Sequence, residues 1–225
     1  MLSYKTLSNP AQATIIEKKS RFVAFARPIS SEEEAKAFLQ QLRKEYWDAS
    51  HHVYAYILRE SVQDGVRSRS TDDGEPSGSA GAPVLETLAG AGVIDAIVVV
   101  IRYFGGTLLG VGGLIRAYSG AAKAVIKKAG IAEMKLCRRY SLEIGYAGWN
   151  RVKHMASGYR VVNIEYGERI TVWMLVEVPD VRDFETLITD ATGGLAANDV
   201  ILTNMGDVFS RIMGTSPSGL TSTVN

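Results

Sequence analysis

Five glycines between a predicted strand and a predicted helix restrict the folds open to this chain more than any other feature. The β-branched run 97–101 predicts a buried strand. Apolar residues at helical spacing over 114–125 predict an amphipathic helix. The glycines that separate the two are Gly105, Gly106, Gly110, Gly112 and Gly113. Such a loop can direct its backbone N–H groups at an anion, but the same glycines can serve only to make a tight connection.

The familiar phosphate-binding loops do not fit this spacing. A P-loop that begins at Gly105 requires Lys at position 111, where the chain has Val111. A dinucleotide-binding loop that begins at Gly110 requires Gly at position 115, where the chain has Ile115. The sequence therefore indicates a strand–loop–helix unit without identifying a ligand.

Length, charge and cysteine content set broad limits. A chain of 225 residues is long enough for one large or two modest domains. The net charge of +1 provides no strong attraction to nucleic acid or membrane, so RNA binding would depend on a local patch and no DNA partner is expected. Cys137 is the single cysteine, which excludes an intrachain disulfide and favours a reducing cytoplasm. The longest apolar run, 96–101, is too short to cross a bilayer, and no signal peptide is evident.

Two domains are expected, and the first spans residues 1–133. Its strands are predicted at 14–16, 21–26, 51–59, 66–70 and 97–101, and its helices from Ser31, at 84–89 and after the glycine loop. Asp64–Gly65 predicts a hairpin turn. The segment 70–83 is long and polar and is broken by glycine and proline, which is typical of a functional or disordered loop.

The second domain is expected at 134–211, where the pattern restarts. Its alternation of strands and helices predicts the order βαββαβ, which is that of a ferredoxin-like domain. The remaining tail, 212–225, is rich in Ser, Thr, Gly and Pro and is predicted to be disordered. The fold class is therefore mixed α/β (α+β) with two domains.

The polar loop of the first domain concentrates acidic residues. Asp72, Asp73 and Glu75 lie within four positions around Gly74, with Ser77 just beyond. Clustered carboxylates can perform acid–base chemistry or hold a hard cation. The alternative is a solvated turn in which an aspartate bonds to neighbouring backbone.

No catalytic motif is complete. Ser79 lacks the glycine two residues before it that a nucleophile elbow requires. The pair His51–His52 begins a predicted strand and has no zinc-motif partner, and His154 is expected on a helix surface. Cys137 lies on a predicted strand and is expected in the core.

Basic and aromatic residues flank the glycine loop. Arg116, Lys123 and Lys127 share one face of the predicted helix, and Arg67 and Arg69 are near the acidic loop. Together with Arg102 they could form a basic surface, to which three aromatic residues could add stacking platforms: Tyr103, Phe104 and Tyr118. The alternative is a solvated helix face with buried aromatics.

Two blocks resemble the signature of the IMPACT family, bacterial YigZ type. One is Asp72-Asp-Gly-Glu-Pro-Ser-Gly-Ser-Ala-Gly-Ala-Pro83, and the other is Arg102-Tyr-Phe-Gly-Gly, followed by Leu109-Gly-Val-Gly-Gly-Leu-Ile-Arg-Ala-Tyr118. The early Lys19-Ser-Arg-Phe22 also fits, and the resemblance covers residues 1 to about 130 closely. Ser79 stands where the family more often has Thr, which keeps the hydroxyl.

The resemblance implies a fold for each domain and a link to a cellular process. The first domain would have the fold of the second domain of ribosomal protein S5, and the second domain would resemble a translation-elongation-factor domain. Eukaryotic relatives restrain the kinase arm of the amino-acid starvation response by competing for its activator. They use a further N-terminal domain for that contact, so this mechanism is not expected here. A link to translation or RNA is what the fold analogy suggests.

We therefore expect a binding or regulatory protein without cofactor or metal, linked to translation through RNA, the ribosome or a translation factor. Arg102 and Arg116 would contact phosphates, and Gly105, Gly106, Gly112 and Gly113 would let backbone approach a ligand. The open face of the second domain's sheet would be another contact surface. One alternative is a metal-assisted hydrolase that uses Asp72, Asp73 and Glu75. Another is a protein-interaction module with no nucleic acid.

Overall fold

The computed structural model describes residues 1–60, 65–193 and 200–211. Within these ranges the chain forms two units, one over Ser3–Glu133 and one from Met134 onwards. The predicted turn residue Asp64, the helix end at Gly194 and the tail 212–225 lie outside the described residues.

The first unit combines an antiparallel sheet with three helices. Its strands are β1 (Ser3–Leu7), β2 (Ala11–Glu17), β3 (Ser20–Pro28), β4 (His51–Arg59), β5 (Val66–Thr71) and β6 (Ala96–Tyr103). Its helices are α1 (Glu32–Glu45), α2 (Gly81–Gly90) and α3 (Val111–Ala129). Five strands form the sheet in the order β2-β3-β6-β4-β5. The sequence pattern did not predict β1, and α2 begins three residues earlier than expected.

The central strand β6 carries two cores because its side chains alternate between the faces of the sheet. Val98 and Val100 belong to the core that includes the buried residues of α2 and α3. Val99 and Ile101 belong to the core on the other face, which includes the buried residues of α1. A strand buried on both faces explains the continuous β-branched run in the sequence. The glycine loop follows directly after the end of β6.

The second unit has the expected βαββαβ order. Its elements are β7 (Ile131–Ile144), α4 (Tyr146–Ala156), β8 (Arg160–Tyr166), β9 (Ile170–Glu177), α5 (Val181–Thr192) and β10 (Val200–Arg211). These strands pair in the order β10-β7-β9-β8, and each pair is antiparallel. The prediction of a ferredoxin-like α/β fold is confirmed. Its core centres on Phe184, whose ring packs on Tyr140 and Tyr159.

Candidate functional site

Asp72 fixes the shape of the loop between β5 and α2. Its Oδ1 accepts hydrogen bonds from the backbone N–H groups of Ala80 (3.0 Å) and Gly81 (2.8 Å), and its Oδ2 accepts one from Gly78 (2.8 Å). The carboxylate thus caps the N-terminus of α2, which has no side-chain cap from its own first residues. Partial burial raises the pKa of Asp72, but the three N–H groups outweigh it and hold the pKa below its ordinary value. The hydrogen bonds of this carboxylate therefore stabilise the loop and the start of α2.

Asp73 bonds to α1 and to the start of β4, and not to the loop that holds Asp72. Its carboxylate accepts from Arg43 Nη2 at 2.8 Å and from the backbone N–H of His52 at 2.6 Å. Its carbonyl oxygen lies 2.8 Å from His51 Nδ1. Because a carbonyl only accepts, His51 donates through Nδ1, and in the neutral ring Nε2 is left as an acceptor.

Glu75 joins the acidic loop to the glycine segment. Its Oε1 accepts from Arg102 Nη1 at 2.6 Å and from Tyr118 Oη at 2.7 Å. All three side chains are buried, and Arg102 is only 5% exposed. Burial and the neighbouring carboxylate raise the pKa of Tyr118, so its hydroxyl remains a donor. The loop at residue 75 is therefore bonded to the end of β6 and to α3, the two elements that flank the glycine segment.

This network corrects one expectation and decides between two alternatives. Arg102 was expected to contact phosphate, but it lies in the interior as the ion-pair partner of Glu75, with Nη2 3.4 Å from Ser20 Oγ. Two alternatives were open for Tyr118, a stacking platform or a buried aromatic, and the structure supports the second: the ring is fully buried and packs edge-on against Phe22. The glycine-rich sequence gave no sign of this burial, because the partner Glu75 comes from a distant loop.

The three acidic residues do not form one ligand set. Asp72 faces backbone N–H groups, Asp73 faces Arg43, and Glu75 faces Arg102. Across the described ranges, no three His, Cys, Asp or Glu side chains are grouped as a metal site requires. The geometry disfavours the hydrolase alternative, because each carboxylate is already bonded to a different part of the protein.

Gly105 permits a close backbone contact. A Cβ at this position would lie 2.1 Å from the carbonyl carbon of Lys19, closer than any real side chain allows. The Gly105 N–H donates to Ser20 Oγ at 3.2 Å. The glycine is therefore required for packing against the β2–β3 turn, and this contact brings the early block 19–22 against the glycine block. Gly106 and Gly112 are exposed, whereas Gly113 is buried in the first turn of α3.

The N-terminus of α3 is uncapped. Its N-cap residue Gly110 has φ +69°, which favours glycine, and provides no side-chain hydrogen bond. The first turn contains no acidic residue. The guanidinium of Arg116 lies at this end, because Nη1 is 3.6 Å from the position that a Cβ on Gly112 would take. Arg116 is exposed and forms no ion pair with any described residue.

Two further cations lie in the turn that contacts the glycine segment. Lys18 and Lys19 are exposed in the β2–β3 turn that packs on Gly105. Exposed Arg21 stacks on the ring of Tyr103 at 4.2 Å, on the face of the sheet that packs against α1 and not against α3. The other predicted cations are placed elsewhere: Lys123 and Lys127 line a groove between α2 and α3, and Arg67 and Arg69 pair with Glu60 and Glu32. The basic surface is thus smaller than predicted, and it includes residues that sequence reasoning missed.

A cleft of about 380 Å³ lies where the two loops meet. Polar groups of three residues line it: His51, Glu75 and Arg102. Its other walls are mostly apolar and consist of Pro76, Phe104, Leu108, Leu109, Gly110, Val111 and Leu114. Phe104 is half exposed, while Ser77 and Gly74 lie in the loop outside this lining. His51 was missed as a site residue because only the pairing of β4 with β6, which sets it opposite Arg102, reveals its place.

Comparison with known proteins identifies the family. The Impact N-terminal domain matches residues 18–126, a range that contains both loops. A domain of unknown function (DUF1949) matches residues 142–195. IMPACT family member YvyE from Bacillus subtilis is 35% identical over 85% of this chain and 88% of that protein. The chain belongs to the IMPACT family.

Other IMPACT-family proteins extend the relationship. IMPACT family member YigZ from Escherichia coli is 32% identical over 82% of this chain and 92% of that protein. A crystal structure of a hypothetical protein superposes with a TM-score of 0.59 at 29% identity, covering 90% of this chain and 97% of that one. The Saccharomyces cerevisiae protein IMPACT homolog is 33% identical over 54% of this chain and 46% of its own length. No described helix has the length and apolar character needed to span a membrane.

Proposed function

We propose that this IMPACT-family protein is a translation-linked regulatory protein that binds RNA at the N-terminus of α3. The observation that carries the proposal is the position of Arg116. A cation at a helix N-terminus is disfavoured by the helix dipole, and an anion bound between the exposed Arg116 guanidinium and the first turn would offset that repulsion. A phosphate would accept hydrogen bonds from both the guanidinium and the free N–H groups of the first turn.

The surroundings of this end of the helix support a polyanion. Lys18 and Lys19 lie on the β2–β3 turn, which contacts Gly105, and form no ion pairs among the residues described. Cations that track several phosphates, beside an exposed aromatic ring such as Phe104, are typical of single-strand binding. The family resemblance supports translation as the process, because it implies the fold of a ribosomal protein domain.

Salt dependence of RNA affinity tests the proposal. Binding of a fluorescent single-stranded RNA to the full-length protein is measured by anisotropy over a range of salt concentrations. We expect a linear loss of log affinity with log salt, and Arg116→Ala should reduce the slope by about 0.7 because one phosphate contact is lost. Lys128→Ala, at the other end of α3, is the matched control and should leave the slope unchanged.

Two results would overturn the RNA proposal. One is no measurable binding at low salt, and the other is an Arg116→Ala slope equal to that of the native protein. Sedimentation of cell lysate with and without nuclease separates the protein-interaction alternative. Co-migration with a ribosomal fraction that survives nuclease treatment would favour a protein partner.

A further inference from the structure

One face of the sheet in the second unit is covered by helices and the other is open. Alternate residues of β9 are buried in the core that includes residues of α4 and α5: Ile170, Val172, Met174 and Val176. Trp173 and Leu175 lie between them and therefore on the opposite face, because side chains alternate along a strand. Neither α4 nor α5 covers that face, which we call the open face.

Two arginines share the open face with the tryptophan. Arg139 of β7 and Arg160 of β8 both lie directly opposite Leu175. Residues opposite each other on neighbouring strands point to the same side of a sheet. Trp173 is two residues from Leu175, about 7 Å along the strand. The open face therefore carries an aromatic ring beside a pair of cations.

The end of β10 bends over this face and makes it concave. β10 has a bulge between Asn204 and Asp207, and a bulge bends its strand. Arg160 Nη1 donates to Ser210 Oγ at 2.6 Å and to the carbonyl oxygen of Arg211 at 2.7 Å. In a flat sheet β8 and β10 would be three strand spacings apart, about 14 Å, which one arginine side chain does not span. The two edges of the sheet therefore approach each other across the open face.

The charges of the two arginines are not neutralised. Arg139 Nη2 donates to the carbonyl oxygen of Met205 at 3.0 Å, and the acceptors of Arg160 are a hydroxyl and a carbonyl oxygen. Among the described residues, neither guanidinium has a carboxylate within ion-pair distance, whereas Arg138 pairs with Asp207 at 2.9 Å. The open face therefore attracts an anion next to its aromatic ring.

A groove of about 400 Å³ lies in this concavity. Trp173, Leu175 and Arg139 line it from the sheet, and Met205 and Phe209 line it from β10. Trp173 is partly exposed and Arg139 is exposed, so a ligand in the groove can reach both side chains. The volume falls within the common range for small-molecule sites, roughly 300–1,000 Å³.

The chemistry of the groove favours a nucleotide over an apolar side chain of a protein. An apolar side chain would contact the ring of Trp173 but would leave Arg139 and Arg160 without an anion. A nucleotide supplies a planar base for the ring and a phosphate for the guanidinium groups. RNA-recognition motifs bind single-stranded RNA in this way, through aromatic side chains on the exposed face of a four-stranded sheet.

We infer that the open face of the second unit binds one unstacked nucleotide of a single-stranded RNA, with the base on Trp173 and a phosphate on Arg139 and Arg160. The inference deepens the proposed RNA-binding function and rests on it. It adds a site in a different unit from Arg116, so variants can test the two sites separately.

Two readouts on the full-length protein test the stacking contact with a nine-residue oligouridine RNA. One is affinity by anisotropy of the labelled RNA, and the other is tryptophan emission on addition of unlabelled RNA. We expect RNA to lower the emission of the native protein, because a base stacked on an indole quenches it. Trp173→Phe keeps an aromatic ring, so it should retain affinity within about twofold but lose the emission change. Trp173→Leu removes the ring and should weaken binding about tenfold.

Matched controls separate stacking from effects on folding. Trp47→Leu removes a ring that is 81% exposed in the first unit, and it should alter neither affinity nor the emission change. Arg139→Gln, on an exposed side chain, should reduce the salt slope of affinity by about 0.7, because one phosphate contact is lost. Arg151→Gln changes an exposed arginine of α4, on the covered side of the sheet, and should leave the slope unchanged.

Each pattern of results has one meaning. Loss of affinity in Trp173→Leu, retention in Trp173→Phe and a smaller slope in Arg139→Gln support the inference. Native affinity and slope in all three, with a smaller slope in Arg116→Ala, overturn the open-face site and leave the proposed function intact. Equal weakening in both Trp173 variants, or no emission change in the native protein, overturns the stacking contact and assigns Trp173 a structural role.

The remaining outcomes also separate the two sites. Effects of the Trp173 and Arg139 variants without an effect of Arg116→Ala support the open-face site and overturn the contact at α3. No RNA binding at low salt overturns both proposals and leaves the open face to a protein partner.

Discussion

A methyl group at position 105 would occupy space that the backbone of Lys19 and Ser20 already fills. The backbone cannot yield without moving the β2–β3 turn away from the end of β6. We therefore expect Gly105→Ala to lower the free energy of unfolding by about 1–3 kcal/mol, the cost of overpacking a tight contact. Urea unfolding, compared at equal m-value, measures the change.

Gly90→Ala is the matched control at the residue scale. A Cβ on Gly90, the last residue of α2, meets no atom within 4 Å, so alanine should be neutral or slightly stabilising there. Equal losses in the two variants would mean that glycine flexibility, and not the contact with Lys19, matters at position 105.

At the scale of elements, the loop before α2 depends on one carboxylate. The pKa of Asp72 in the folded protein is lower than its ordinary value of 3.8. The stabilisation is therefore fully present above that value and is lost as the pH falls through the folded pKa. Asp72→Asn should cost about 1 kcal/mol at neutral pH, as the loss of a helix cap does, and the difference from the native protein should shrink at about pH 3.

Thermal or urea unfolding of both proteins at the two pH values checks this dependence. Glu17→Gln, on an exposed strand-end carboxylate, is the control and should show no difference at either pH. A gap between Asp72→Asn and the native protein that stays constant with pH would show that hydrogen-bond geometry, not charge, supports the loop.

The elements themselves were largely predictable from sequence, and the site was only partly so. The continuous β-branched run of β6 and the helical periodicity of α3 are clear because both elements are buried. The βαββαβ order follows from turn signals between short periodic segments. β1 escaped prediction because its five residues carry little pattern. The burial of Arg102 and Tyr118 depends on Glu75, 27 and 43 positions away, and local periodicity carries no information about such contacts.

At the scale of the whole molecule, a net charge of +1 means that attraction to RNA depends on which cations are free. Arg43, Arg59 and Arg102 are held in ion pairs in the first unit. Arg116, at the N-terminus of α3, and Lys18 and Lys19, in the β2–β3 turn, form no such pairs among the residues described. The charge of these three side chains is therefore not neutralised by a described carboxylate, and the proposed phosphate contact depends on that charge.

The two units have separate cores, so we expect a lesion in one core to act on that unit. Phe184→Ala removes a fully buried ring from the second core and should destabilise that unit by about 3–5 kcal/mol. Tryptophan emission follows this unit, because Trp149 and Trp173 are partly buried in it while Trp47 is 81% exposed in the other. The urea midpoint of emission should fall, while hydrogen-exchange protection of the β6 amides stays unchanged.

Ile101→Ala is the reciprocal lesion, because Ile101 is fully buried in the first unit. It should lower protection of the β6 amides and leave the emission midpoint in place. If Phe184→Ala lowers the β6 protection as much as Ile101→Ala does, the two cores unfold as one cooperative unit. In that case a destabilising change anywhere in the second unit would also reduce the fraction of protein with a formed cleft, and RNA affinity would have to be compared only between variants of equal stability.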